Sequence, residues 1–334
     1  GNGNSFRSKL TKNDLKAFGK SKKRVLLLLH GTIGTTELAF KGLLKDKFFE
    51  ETYADRIIGY DHPTIIDSVA TNVDTLVRQL QALAEELEEP IELKADVITR
   101  SRGCLVLCEL LKRFNPDEQG ALKIHPNLTI KINKVVTVAP CFKGTPAVIR
   151  ENIDVMRQGI ICKTAANVIV EYDTNNNLEK KKAHERGVFK SISKAVTTIM
   201  GRFGDPRYYK LYVGLHDMDP KNNENSGRND FMTSFMQKED HAKRFHSLIF
   251  NYNGDSSTGL IDTIMGGEND YITPVDSAKG GYGWSIHEEN FYTMDSSSVS
   301  HMNYFSKKVD IDENGVKKVI EWLNKGNTTG GVLA

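Results

Sequence analysis

One stretch constrains the fold more than any other: Ile91–Leu111, IELKADVITRSRGCLVLCELL. The apolar, β-branched run Ala95–Ile98 predicts a buried strand, and Leu105, Leu107, Cys108, Leu110 and Leu111 then recur at helical spacing. Between them lies Thr99-Arg100-Ser101-Arg102-Gly103, a tight turn with a serine at its apex. Such a turn lifts the hydroxyl out of the carboxyl edge of a sheet and sets it at the positive end of a helix. It also frees the next backbone N–H, here that of Arg102, to face a developing oxyanion. Bulk two places before or after the serine would collide with neighbouring backbone; Gly103 avoids this, while Thr99 stands where the G-x-S-x-G pattern has its first glycine. Ser101 is therefore a candidate nucleophile, its rival role being a cap on the helix Arg102–Leu111.

Upstream, Arg24–Leu29 (RVLLLL) is a continuous apolar run, expected as a central strand covered on both faces. It opens into HGTIGTT. A glycine-rich loop at the carboxyl end of a strand leaves N–H groups unpaired beside the crevice where α/β proteins bind ligands, so a second oxyanion donor is expected at Thr32, with Ile33 next. Phosphate binding is disfavoured, because GTIGTT lacks the third glycine of the dinucleotide fingerprint and the Gly-Lys-Ser/Thr of a P-loop. Arg56–Tyr60 reads as a short strand closed by Asp61-His62-Pro63. A helix capped by Asp67 or Ser68 follows, with Val69, Val73, Leu76, Val77, Leu80, Leu83 and Leu87 on one stripe and a stop at Glu89-Pro90. Lys131–Val138 is the next strand. This alternation from residue 24 to 145 predicts βαβ crossovers and a mostly parallel sheet with helices on both faces.

The rhythm breaks over 147–243, which reads as a mainly helical, polar insertion with exposed connections at Asp173–Lys182 and Asp219–Asn229. Within it Val188, Phe189, Ile192, Val196, Ile199, Met200 and Phe203 form an apolar stripe, with Lys190, Lys194 and Arg202 off it and the basic run Lys180–Lys182 before it. Such a helix suits a cap over an apolar crevice or peripheral contact with an anionic membrane; permanent packing on the core is the plainer expectation. The sheet is expected to resume at Arg244–Tyr252, followed by a helix Gly259–Met265, a last strand Phe291–Met294 and a helix near Gly315–Asn324. The expected organisation is an arm over 1–22, core halves at 23–146 and 244–326, a cap or lid at 147–243, and a tail or linker at 327–334.

A serine nucleophile needs a base within hydrogen-bond reach and a carboxylate to orient that base. Asp270 in GENDYITP and His301 in SVSHMNYF follow the serine in the order serine, acid, histidine. Asp255, which follows a strand, and Glu268 are rival acids; His30, His62 and His287 are rival bases, His30 adjoining the oxyanion loop and shaping it. Asp276 and Asp295 read as solvated.

With HGTIG, TRSRG, GENDYITPVDSA and SVSHMNYF in this order, the chain resembles α/β-hydrolases of the lipase/esterase type. GYDHPT and GLHDMDP are similar to phrases in bacterial lipase-like domains that accompany caspase-like proteases or belong to larger multidomain proteins. The resemblance implies an α/β-hydrolase fold with an inserted helical cap, the acid at Asp270 of a D-x-x-x-P turn, the base at His301, and ester hydrolysis through an acyl-enzyme without metal or organic cofactor. A lid-sized basic insertion points to acyl lipids. His30 and Gly31 are expected at the substrate, and Arg100 or Arg102 would favour an anionic head group wherever a guanidinium faces the crevice. A catalytically idle scaffold that binds a partner is the alternative, and an attached or associated regulatory domain is a further expectation.

Charge and cysteine content narrow the setting. Lys and Arg total 45 against 43 Asp and Glu, so there is no global field for nucleic acid. Cys104, Cys108, Cys141 and Cys162 show no CxxC and are expected as free thiols in a reducing compartment. The opening GNGNSFRSKL has no apolar core of a signal peptide and no run approaches a membrane span, so a cytoplasmic location is expected.

Overall fold

Alternate side chains of β1 (Val25–Leu29) point into two different cores, and that one strand explains the layering. Val25, Leu27 and Leu29 join one apolar cluster and Leu26 and Leu28 the other. The first cluster is completed by α1 (Lys12–Ser21), α4 (Val69–Glu85) and α5 (Gly103–Phe114). The second is completed by α2 (Thr36–Phe40), α3 (Lys47–Tyr53) and the late helix α9 (Val316–Asn324). A strand buried on both faces needs no polar alternation, hence the unbroken RVLLLL. The computed structural model describes residues 9–21, 23–149, 152, 211–220, 232, 234, 242–253, 258–301, 303–305 and 315–325.

Among the described residues the sheet has seven strands. Its order is β2 (Ile57–Tyr60), β1, β3 (Ile91–Arg100), β5 (Leu128–Val138), β6 (Phe245–Tyr252) and β7 (Phe291–Ser296), each parallel to its neighbour, while β4 (Ala121–His125) runs antiparallel to the start of β5. The chain goes out from β1 to β2 and returns past β1 to β3. The loops leaving β1 and β3 therefore diverge, and a crevice opens at their carboxyl ends. This is the α/β-hydrolase architecture expected from the sequence, with residues after 243 adding their strands to the same sheet as those before 147.

Several elements depart from the expectation. Residues expected as an arm include α1, whose Leu15 and Phe18 are buried, and Thr11 and Asp14 form a reciprocal capping box at its start. The strict strand–helix alternation is interrupted by β4, a short strand that pairs along only one partner. Ser68 rather than Asp67 caps α4, its hydroxyl accepting from the Thr71 N–H at 3.0 Å. Within 147–243, the short helix α6 (Val213–His216) is docked by the Gly214 N–H on the Ile65 carbonyl at 3.0 Å. The expected basic helix over 188–203 and the tail at 327–334 lie outside the described residues. The helix expected at Gly259–Met265 is present as α7 (Thr258–Met265), while α8 (Val275–Ala278), on the other side of the acidic turn at 266–274, is a helix the sequence did not suggest.

One buried charge gathers three partners at a bulge in the sheet. Asp96 accepts from Arg24 Nη1, the Tyr53 hydroxyl and Asn133 Nδ2, each at 2.7 Å, tying β1, α3 and the bulge in the β3–β5 pairing. A buried carboxylate is tolerable when its lone pairs are filled in this way. No helix among the described residues is long and apolar enough to cross a membrane. Cys104, Cys108 and Cys141 are free and buried, and Cys162 lies outside the described residues.

Candidate active site

Ser101 sits at φ +49°, the left-handed conformation that a nucleophile elbow forces on its apex. The glycines beside it are there for space. A Cβ on Gly103 would lie 2.3 Å from the Leu29 carbonyl oxygen, and one on Gly31 would lie 2.8 Å from Ser101 Cβ. The helix thus packs directly on the end of β1, and the loop that begins at Gly31 packs directly on the serine. Gly103→Ala is expected to cost about 3 kcal/mol of stability, the upper range for overpacking, because the clash is with backbone. Urea denaturation reads this, and a loss below about 1 kcal/mol would contradict the close approach.

Residues distant in sequence meet at this serine. His301 Nε2 lies 3.0 Å from Ser101 Oγ, and His301 Nδ1 lies 2.9 Å from Asp270 Oδ2. A carboxylate only accepts, so Nδ1 carries the proton and Nε2 is left to accept from the serine hydroxyl. Asp270 is fully buried at the turn between α7 and α8. Its Oδ1 accepts from the N–H groups of Thr273 (2.8 Å) and Ile272 (3.2 Å), and its backbone carbonyl accepts from the His301 N–H (2.7 Å). The Tyr304 hydroxyl donates to Asp270 Oδ2 at 3.1 Å; burial first, then the neighbouring carboxylate, hold that phenol's pKa well above its usual value and keep it a donor.

The N–H groups of Thr32 and Arg102 meet no acceptor among the described residues, whereas the Ile33 N–H is taken by Thr64 Oγ1 at 3.0 Å. The Thr32 hydroxyl donates to Met218 Sδ at 3.4 Å. Behind this loop His30 and His62 stack at 4.3 Å. His30 Nε2 accepts from the His62 N–H, so His30 carries its proton on Nδ1 and donates to the Gly31 carbonyl at 2.8 Å. Burial is the main cause that lowers both pKa values, that of His62 to about 3, so the pair is neutral and props the loop.

Three expectations are corrected. His30, expected at the substrate, is fully buried with both ring nitrogens occupied and supports the loop from behind. Arg100 turns away from the crevice: its Nη2 donates to the His301 carbonyl and its guanidinium lies 5.9 Å from the Tyr304 ring centroid. Arg102 is fully buried, donating to the carbonyls of Asp67 (2.8 Å) and Gly214 (3.3 Å). The helix and strand directions at the elbow aim both stems into the scaffold, so neither guanidinium is placed for an anionic head group. Asp270, not Glu268, meets the histidine; Asp255 lies outside the described residues. His287 faces Glu289 at 3.8 Å and His62 is locked against His30, leaving His301 at the serine. Tyr304 and Thr273 also reach the acid, and nothing in the residues after the histidine, or in the turn's threonine, signals either contact in the sequence. Among the described residues no cluster of His, Cys, Asp and Glu could hold a metal ion.

The profile of a protein family described as "Domain of unknown function (DUF7379)" matches residues 2–324. No curated protein matches the chain. Among solved structures the chain is similar to EstA from Clostridium botulinum, at 12% identity and a TM-score of 0.47 over 95% of each chain. It is also similar to lipase 1 from Pelosinus fermentans, at 10% identity and a TM-score of 0.49 over 93% of this chain and 100% of that one. A third is the mature Bacillus licheniformis lipase BlEst2, at 13% identity and a TM-score of 0.44 over 90% and 92%.

Proposed function

The chain belongs to the family described as Domain of unknown function (DUF7379), and for this member we propose hydrolysis of carboxylic esters through an acyl-enzyme on Ser101. The observation that carries this reading is the unbroken relay from Ser101 Oγ through His301 to Asp270, with links of 3.0 and 2.9 Å. His301 Nε2 takes the hydroxyl proton as Oγ attacks the ester carbonyl, and Asp270 holds the tautomer and balances the imidazolium. The N–H groups of Thr32 and Arg102 donate to the oxyanion, each worth about 3 kcal/mol of barrier in comparable sites. The imidazolium then protonates the departing alcohol. Water enters, gives its proton to Nε2 and releases the acid by the same steps in reverse roles.

Acyl lipids are the substrate class that fits the surroundings best. Ile33, next to Thr32, is 43% exposed, and Ile66 (61%), Leu211 (60%) and Val213 (42%) stand on the segments hydrogen-bonded around the same loop. Exposed apolar side chains of this kind suit an acyl chain leaving water. The test is a panel of short water-soluble esters against dispersed glycerides and phospholipids. Attack on the dispersed lipids is expected. Turnover of the soluble esters alone would overturn the lipid assignment, and turnover of none would overturn ester hydrolysis.

A further inference from the structure

Each segment of the relay comes from a different part of the chain, so something must hold their relative placement. His301 lies 200 residues from Ser101, in a loop without regular structure. Its ring is fixed by Asp270, but a ring can pivot if its backbone moves. Arg100, the residue before the serine and the last of β3, donates from Nη2 to the His301 carbonyl and so anchors that backbone to the strand carrying the elbow. The same guanidinium rests on the face of Tyr304 at 5.9 Å. Tyr304 in turn donates to Asp270 Oδ2 at 3.1 Å and accepts from the Phe250 N–H of β6 at 2.9 Å. The chain of contacts therefore runs from β3 to the histidine loop, from there to the acid, and on to β6. A planar guanidinium donates at its edge while its face rests on the ring, a fixed geometry that a compact ammonium does not share.

We infer that Arg100 is a positioning residue which, with Tyr304, holds His301 and Asp270 at the distances proton transfer requires. This rests on the reading of Ser101, His301 and Asp270 as the catalytic relay. Displacing a reacting group by about 1 Å costs about a hundredfold in rate. Arg100→Met keeps the apolar stem and is expected to lower kcat about 10- to 100-fold with KM within about twofold, and Tyr304→Phe to lower kcat about tenfold, since the base is misplaced while ground-state binding persists.

The experiment measures kcat and KM on a soluble ester, together with the rate of fluorophosphonate labelling at Ser101, for the full chain, Arg100→Met, Arg100→Ala, Arg100→Lys and Tyr304→Phe. Added guanidinium ion should restore part of the kcat of Arg100→Ala, a readout that a purely structural defect would not give. If Arg100→Met and Arg100→Ala fail to fold, Arg100→Lys and Tyr304→Phe carry the test, with kcat and labelling rate expected to fall together in both. A labelled, active parent chain with kcat unchanged in the folded variants overturns the inference and leaves the relay standing. A rise in KM at unchanged kcat overturns it too, by making Arg100 a substrate contact. A parent chain that neither labels nor turns over ester overturns the relay and the inference with it.

Discussion

Replacing Ser101 by alanine is expected to lower ester turnover by about three to six orders of magnitude. Ser101 is 4% exposed, alanine keeps its Cβ, and the apex at φ +49° is no harder for alanine than for serine, so the fold should persist. What is lost is the only hydroxyl within reach of His301 Nε2, at 3.0 Å, among the described residues. His301→Ala should cost a similar amount, and the double variant no more than the worse single one, because the two groups act as a unit. Steady-state rates on one soluble ester decide this; a fall of less than about tenfold in Ser101→Ala would mean that the hydroxyl is not the nucleophile.

Asp270→Asn should be nearly as severe, about four orders of magnitude, although it changes the shape of the site very little. Oδ1 accepts from two N–H groups and Oδ2 from His301 Nδ1 and the Tyr304 hydroxyl. An asparagine has one accepting oxygen and one donating NH2, so in either orientation a donor faces donors. With the NH2 toward His301, the ring must carry its proton on Nε2 and can no longer accept from Ser101. With the NH2 toward the turn, the N–H groups of Ile272 and Thr273 lose their partner, at about 1–3 kcal/mol of stability. Turnover measured beside a denaturation curve separates the two; activity within tenfold of the parent at unchanged stability would contradict the tautomer argument.

How far such a site can be read from sequence depends on how local its constraints are. The elbow was legible because its requirement is steric and falls at fixed offsets: Gly103 must be small since Leu29 lies against it. β1 was legible because burial on both faces leaves an unbroken apolar run. α1 carries a readable signal in Thr11 and Asp14, a capping box within the segment expected only as an arm. β4 offered little, being five residues with a lysine at its centre. Asp270 could be proposed from its turn, but the sequence could not choose it over Asp255 or Glu268, since reach to His301 is a tertiary quantity. The directions of Arg100 and Arg102 were decided by partners 201 and 112 positions away, His301 and Gly214, which no local pattern encodes.

The relay is tested most directly by labelling with a fluorophosphonate and locating the adduct by mass spectrometry, with Ser101→Ala as control. A single adduct on Ser101, absent in the variant, is the expected result and would establish an activated, accessible nucleophile at the elbow. No adduct, with or without detergent or anionic vesicles, or an adduct that persists on another serine in Ser101→Ala, would contradict it.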